Sequence, residues 1–178
     1  MKTYARGIAI ALLSLCLVPG AFAQDEGLVV ERWPNALGAS FTSAYGFSGG
    51  ISYQRWFDSL GLSFTAGVFS DPAAGNLFEY MAYGGLQYRV YAEDFAEWLS
   101  GGLYLAGNFG AHGSIRAADS WDEPGVNVRY GGGLGVGYEL VLARHFSQMS
   151  EVLYVAQMRN AAFETLGLQY VGAFRYRY

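Results

Sequence analysis

Between Val126 and Leu142, large apolar residues occupy every second position except Gly132: Val126, Val128, Tyr130, Leu134, Val136, Tyr138, Leu140 and Leu142. The residues between them as far as Glu139 are Asn127, Arg129, Gly131, Gly133, Gly135, Gly137 and Glu139. Side chains of a strand alternate between two faces, so this period of two predicts a strand with one greasy and one polar or tiny face. Three segments also place tyrosines eight apart: Tyr80 and Tyr88, Tyr130 and Tyr138, Tyr170 and Tyr178. An even spacing puts both members of each pair on one face. Eight residues at ~3.3 Å each, tilted by ~40°, rise roughly 20 Å.

The same alternation runs from Ala36 to the end and predicts eight strands, over 36–43, 50–57, 60–69, 77–91, 98–111, 126–142, 148–158 and 164–178. Their apolar faces include Leu37 and Phe41, Ile51 and Tyr53, Leu62 and Phe64, and Leu86, Tyr88 and Val90. The later strands add Leu103, Leu105 and Phe109, then Val152, Tyr154 and Ala156, then Leu166, Leu168, Phe174 and Tyr176. Arg55 is the one charge on that face, near a strand end where its stem can snorkel. Short turns are expected at 58–59, 93–97 and 144–147, alternating with longer connectors at 71–76, 112–125 and 159–163. An apolar, uncharged band about 20 Å tall between two rows of tyrosines is the outer surface of a membrane-spanning barrel. The girdle residues are then Tyr80, Tyr88, Tyr130, Tyr138, Tyr170, Tyr176 and Tyr178.

The beginning of the chain reads as a secretory signal over 1–23. Lys2 and Arg6 are the basic region, Ile8 to Val18 the apolar stretch, and Ala21-Phe22-Ala23 the small-x-small cleavage site. A leader over 24–35 and the barrel over 36–178 would follow. Cleavage removes Cys16, the chain's one cysteine, so disulfide and thiolate-metal chemistry are not expected. Leu15 stands where a lipoprotein signal carries a small residue. Lys2 is the sole lysine, and fifteen acids outnumber eleven Lys and Arg. That balance argues against nucleic acid or anionic lipid held by a basic patch. A composition 52% hydrophobic and only 15% charged suits strands that face lipid.

The last strand resembles the C-terminal signature of outer-membrane proteins, an aromatic final residue with apolar residues alternating back from it: Tyr170, Phe174, Tyr176 and Tyr178. Gly172 interrupts the alternation. With the signal segment and eight strands, the chain from Ala36 is similar to the small eight-stranded barrels of the OmpA, OmpX and OmpW type. The resemblance implies an all-β, antiparallel, up-and-down transmembrane barrel in the outer membrane of a diderm bacterium. It also implies a monomer among outer-membrane lipids, inserted by the assembly machinery that reads the last strand. Eight is an even count, so both termini are expected in the periplasm with the short turns.

Three motifs bear on chemistry. The glycines from Gly131 to Gly137 lack the lysine and the spacing of nucleotide loops. They are expected to clear a narrow lumen for Tyr104, Tyr83 or Trp56. His145-Phe146-Ser147-Gln148 partly resembles the His-x-Ser-Asn stretch of outer-membrane lipid A deacylases, with Gln148 in place of Asn. That resemblance implies a Ser147 nucleophile with His145 as base, but the segment falls at a turn on the periplasmic side. The inward charges are a lower cluster of Glu139, Glu151 and Arg175 joined by Arg89 or Arg177, and an outer group of Glu79 and Arg129. A turn centred on His145 would set Glu139 directly opposite Glu151, with Arg175 between them.

No catalytic, cofactor or metal constellation is identified. The acidic connector with Asp119, Asp122 and Glu123 lacks the spacing of a calcium loop. The expected function is therefore a non-enzymatic outer-membrane barrel, structural in the envelope or making surface contacts, with a lumen filled by side chains. The alternative is a narrow conduit of the OmpW kind for small hydrophobic solutes, its pocket lined by Phe69, Met81 and Tyr83. A deacylase is third. A soluble lipocalin-like barrel would use the same strands with the apolar face turned inward.

Overall fold

Eight strands follow one another around a ring: β1 (Asn35–Thr42), β2 (Ser48–Phe57), β3 (Leu60–Asp71), β4 (Leu77–Ala96), β5 (Leu99–Arg116), β6 (Gly125–Leu142), β7 (Phe146–Arg159) and β8 (Ala162–Arg177). Each pairs antiparallel with its sequence neighbours, and β1 pairs with β8, so the barrel closes without an edge. Closure satisfies the ladder hydrogen bonds within the sheet, the condition for a strand to cross hydrocarbon. The computed structural model describes residues 32–43, 48–71, 77–116, 125–159 and 162–178. The signal segment, most of the leader and the acidic residues Asp119, Asp122 and Glu123 lie outside the described residues.

The faces divide by polarity. Val68 (74% exposed), Leu134 (75%) and Phe163 (81%) are among the apolar residues standing outward around the ring. Inside lie Glu139, Arg175 and Arg177, the last wholly buried. A soluble barrel with its apolar face inward would need the opposite arrangement, so the lipocalin-like alternative is overturned. Gly172, the gap in the outer pattern of β8, is covered by the ring of Phe41 from β1. Arg55 lies on the outer face with its guanidinium carbon 4.8 Å from the centre of the Phe57 ring.

Bulges shift two positions from their expected places. The β4–β5 register breaks between Arg89 and Tyr91, so Tyr91 rather than Val90 stands opposite Leu103 on the outer wall. On β8, Val155 pairs with Gly167 but Ala156 with Thr165, which leaves Leu166 as the extra residue. Gly167 has φ +84, a conformation open to glycine at little cost. Leu166 therefore packs against the buried cluster instead of facing out. β4 also runs on through a second register shift to Ala96, and β5 reaches Arg116, so His112 belongs to a strand and not to a loop.

The β6–β7 turn is tighter than expected. Leu142 pairs with Phe146, and the three-residue turn carries Ala143 and Arg144 at φ 50 and 68. Its centre is Arg144, not His145. That one-residue change resets every pair between β6 and β7.

Candidate functional site

The half of the lumen nearest the short turns is filled by large side chains laid across glycines. Tyr104 on β5 pairs with Gly137 on β6, and Gly137 pairs with Glu151 on β7. The missing side chain lets the Tyr104 ring lie over Gly137, where a Cβ would come within 2.5 Å of the ring. The Tyr104 hydroxyl thus reaches Glu151 and donates to its Oε1 at 3.1 Å. The same device recurs at Gly61, which stands between Trp56 and Gln87 and whose Cβ would meet the Trp56 ring at 2.9 Å. Gly38 stands opposite both Arg175 and Ser52. Arg175 crosses Gly38 to donate from Nε (3.0 Å) and Nη2 (2.8 Å) to Ser52 Oγ.

Buried ions here are held by many partners. Arg177 Nη2 lies 2.5 Å from Glu139 Oε1, with both side chains almost wholly buried. Arg177 also donates to Gln54 Oε1 at 3.1 Å and to the Trp33 carbonyl at 3.0 Å. Trp56 Nε1 donates to Glu139 Oε2 at 3.3 Å. Gln54 continues the chain by donating to Gln87 at 2.7 Å, and Gln87 donates to Glu151 at 2.6 Å. Arg89 stacks 4.2 Å from the Trp56 ring. Such coverage offsets the cost of stripping water from each charge.

The five inward charges of the lower group share one end of the lumen but pair differently from the expected arrangement. Glu139 stands opposite Met149 and Gly137 opposite Glu151, so the two carboxylates are diagonal neighbours rather than a facing pair. Arg177, not Arg175, makes the ion pair with Glu139. Gln54, Gln87 and Ser52 are the members that sequence reasoning missed. Each lies on an inner face, but uncharged inner residues gave no signal of their role.

The Trp33–Pro34 segment covers this end. Trp56 N donates to the Pro34 carbonyl and Tyr178 N to the Asn35 carbonyl, both at 2.9 Å. His145 lies between Trp33 and Tyr176, with ring centres 4.7 and 5.2 Å away, and its Nδ1 is 2.9 Å from the Arg177 carbonyl. Ser147 is buried beside Glu139. The Ser147–His145 contact that the deacylase resemblance implies is absent.

Above the plug lies a small chamber of about 50 Å³, floored by Arg175 and Glu151 and walled by Met81, Tyr83, Leu153 and Val155. His112, opposite Met81, pairs with Arg129, and these two with Glu79 form a second polar layer toward the far mouth. Phe69, also expected at this pocket, has its side chain outside the described ones. The seven tyrosines expected as girdles all lie on the outer wall; the Tyr170 hydroxyl is 2.7 Å from Ser150 Oγ. Among the described residues, no group of three or more His, Cys, Asp or Glu side chains is arranged to hold a metal.

No family model and no curated protein matches the chain. Solved structures do. The N-terminal β-barrel domain of OprF from Pseudomonas aeruginosa matches with a TM-score of 0.59 at 12% identity, over 81% of this chain and 96% of that one. Ail, the attachment invasion locus protein of Yersinia pestis, matches with a TM-score of 0.41 at 14% identity, over 82% of this chain and 97% of that one. A second Ail structure, in complex with the heparin analogue sucrose octasulfate, gives 0.40 at 12%, over 82% and 97%. At 12% identity the OprF likeness speaks to architecture: the chain has the fold of a small eight-stranded, antiparallel, up-and-down β-barrel.

Proposed function

We propose that the protein is an integral outer-membrane barrel without enzymatic activity, closed by its polar plug, with a structural or surface-contact role in the envelope. The observation that carries this reading is the inverted polarity of the barrel. Hydrocarbon is the medium that wets a continuous apolar wall while arginine and glutamate are buried. Monomeric soluble proteins rarely expose an apolar patch above a few hundred Å². The start of β1, the end of β8 and the short turns share one mouth, which in this reading faces the periplasm. Extraction gives the test. The mature polypeptide should need detergent and should migrate faster unheated than boiled on a gel. A monomer in plain buffer refutes the reading.

The chamber supports a second reading, a conduit for small hydrophobic solutes, because Met81 and Tyr83 both line it. Below it, the plug bars an axial route. Liposome uptake of such solutes, compared with ions, separates a sealed barrel from a conduit that opens sideways.

A further inference from the structure

The chamber above the plug has a charge pattern of its own. Arg175 is 4% exposed, and while Nε and Nη2 are taken by Ser52, its Nη1 has no hydrogen-bond partner. Ser40 is 5% exposed, and its hydroxyl also has none. Gly38 is the register partner of Arg175, and Ser40 follows two residues later on the same face, so both donors line the chamber from one side. Glu151 lines it too; its hydrogen bonds come from the neutral Gln87 and Tyr104, and its charged neighbours are Arg175 and Glu139. The ion pair of the plug is Arg177 with Glu139. The floor therefore presents one cation and one anion, each hydrogen-bonded by neutral groups, beneath the apolar side chains of Met81, Leu153 and Val155.

We infer that this chamber is a binding site for a small zwitterion, of the size and charge pattern of a free α-amino acid such as glycine or alanine. The carboxylate takes Arg175 Nη1 and the Ser40 hydroxyl, and the ammonium takes Glu151. A simple anion meets the repulsion of Glu151, and a simple cation that of Arg175, so the dipolar molecule is favoured over either. Size points the same way. At ~10–15 Å³ for each water centre, the chamber has room for roughly four waters, close to the heavy-atom count of the smallest amino acids. Met81, Leu153 and Val155 line the chamber and keep the local dielectric low, which strengthens both contacts. The site depends on the lumen alone, so its failure leaves the outer-membrane reading untouched.

The test is calorimetric titration of the refolded mature chain in detergent micelles with glycine, acetate and methylammonium in turn, together with the melting temperature at each concentration. Glycine should bind saturably, about tenfold or more tighter than either single-charge probe, the scale of one hydrogen bond to an ionic partner. Glu151→Gln should weaken glycine about tenfold and bring acetate level with it or ahead. Should that variant not fold, the three-probe comparison on the unaltered chain decides alone. Equal binding of glycine and acetate would make this an anion site, and no saturable binding of glycine would make it a hydrated void. Either result overturns the inference, as does a folded Glu151→Gln chain with unchanged glycine affinity.

Discussion

The Arg177–Glu139 pair gives the sharpest test of how the plug holds the barrel. Replacing Arg177 with Gln removes the 2.5 Å ion pair and the donors to Gln54 and the Trp33 carbonyl. Glu139 would keep Trp56 Nε1 among its hydrogen-bond donors, at 3.3 Å, and would remain buried. Breaking a buried pair from one side costs about 3–5 kcal/mol, chiefly through the charge left behind. Glu139→Gln should cost about as much through the stranded guanidinium. The double variant Glu139→Gln/Arg177→Gln leaves no orphaned ion, and its loss should fall well below the sum, with a coupling of about 2 kcal/mol or more. The assay is urea-dependent refolding in vitro into lipid vesicles, followed by heat-modifiable gel migration and tryptophan fluorescence. Refolding in vitro also separates stability from recognition of the last strand by assembly factors. Additive losses, or single losses below about 1 kcal/mol, would refute the view that the charges are held as a pair.

Other outcomes follow from the same geometry. Leu134 is 75% exposed midway between Tyr130 and Tyr138, so Leu134→Arg should cost about 2–4 kcal/mol in vesicles, whereas a water-facing wall would tolerate it. Vesicle refolding at matched urea measures the difference, and no change argues that lipid does not contact this face. Gly137→Val should push the Tyr104 ring off its seat and away from Glu151, costing about 1–3 kcal/mol by overpacking; the near-ultraviolet circular dichroism of the folded barrel should change with it. Ser147→Ala should leave lipid A unchanged relative to the parent protein when analysed by mass spectrometry, and loss of a deacylated product in the variant would reinstate the hydrolase reading.

The alternation of residues predicts which face a side chain takes because a face depends only on whether a position is odd or even. All eight strands and nearly every outward residue were legible for that reason. Partners depend instead on where a turn is centred. Placing the β6–β7 turn on His145 rather than Arg144 moves each cross-strand partner by two residues, which preserves the face and changes the neighbour. Glu139 and Glu151 were therefore placed correctly inside and wrongly opposite each other. The left-handed backbone of Ala143 and Arg144 is what tightens the turn, and neither residue is one that sequence statistics favour there. Val90 and Leu166 were misplaced for a different reason. A bulge inserts one residue and flips the parity beyond it, and the mark left in the sequence at Leu166 was Gly167, one glycine among many.

Those glycines also explain why the plug itself was only half visible. In a barrel of eight strands, neighbouring inner side chains compete for a lumen barely wider than one of them. A large residue can enter only where the next strand yields, so Tyr104 needs Gly137 and Trp56 needs Gly61, and Arg175 reaches over Gly38. The sequence displays the glycines and the large residues separately; the pairing is a property of the register. Once the register is known, each glycine marks the path of a side chain toward a partner two strands away: Glu151 for Tyr104, and Ser52 for Arg175. The polar residues that receive these reaches, Gln54, Gln87 and Ser52, are ordinary in a sequence and are distinguished only by what lies across the lumen from them. A barrel this narrow thus specifies its interior through contacts spanning three strands, which no pattern along a single strand encodes.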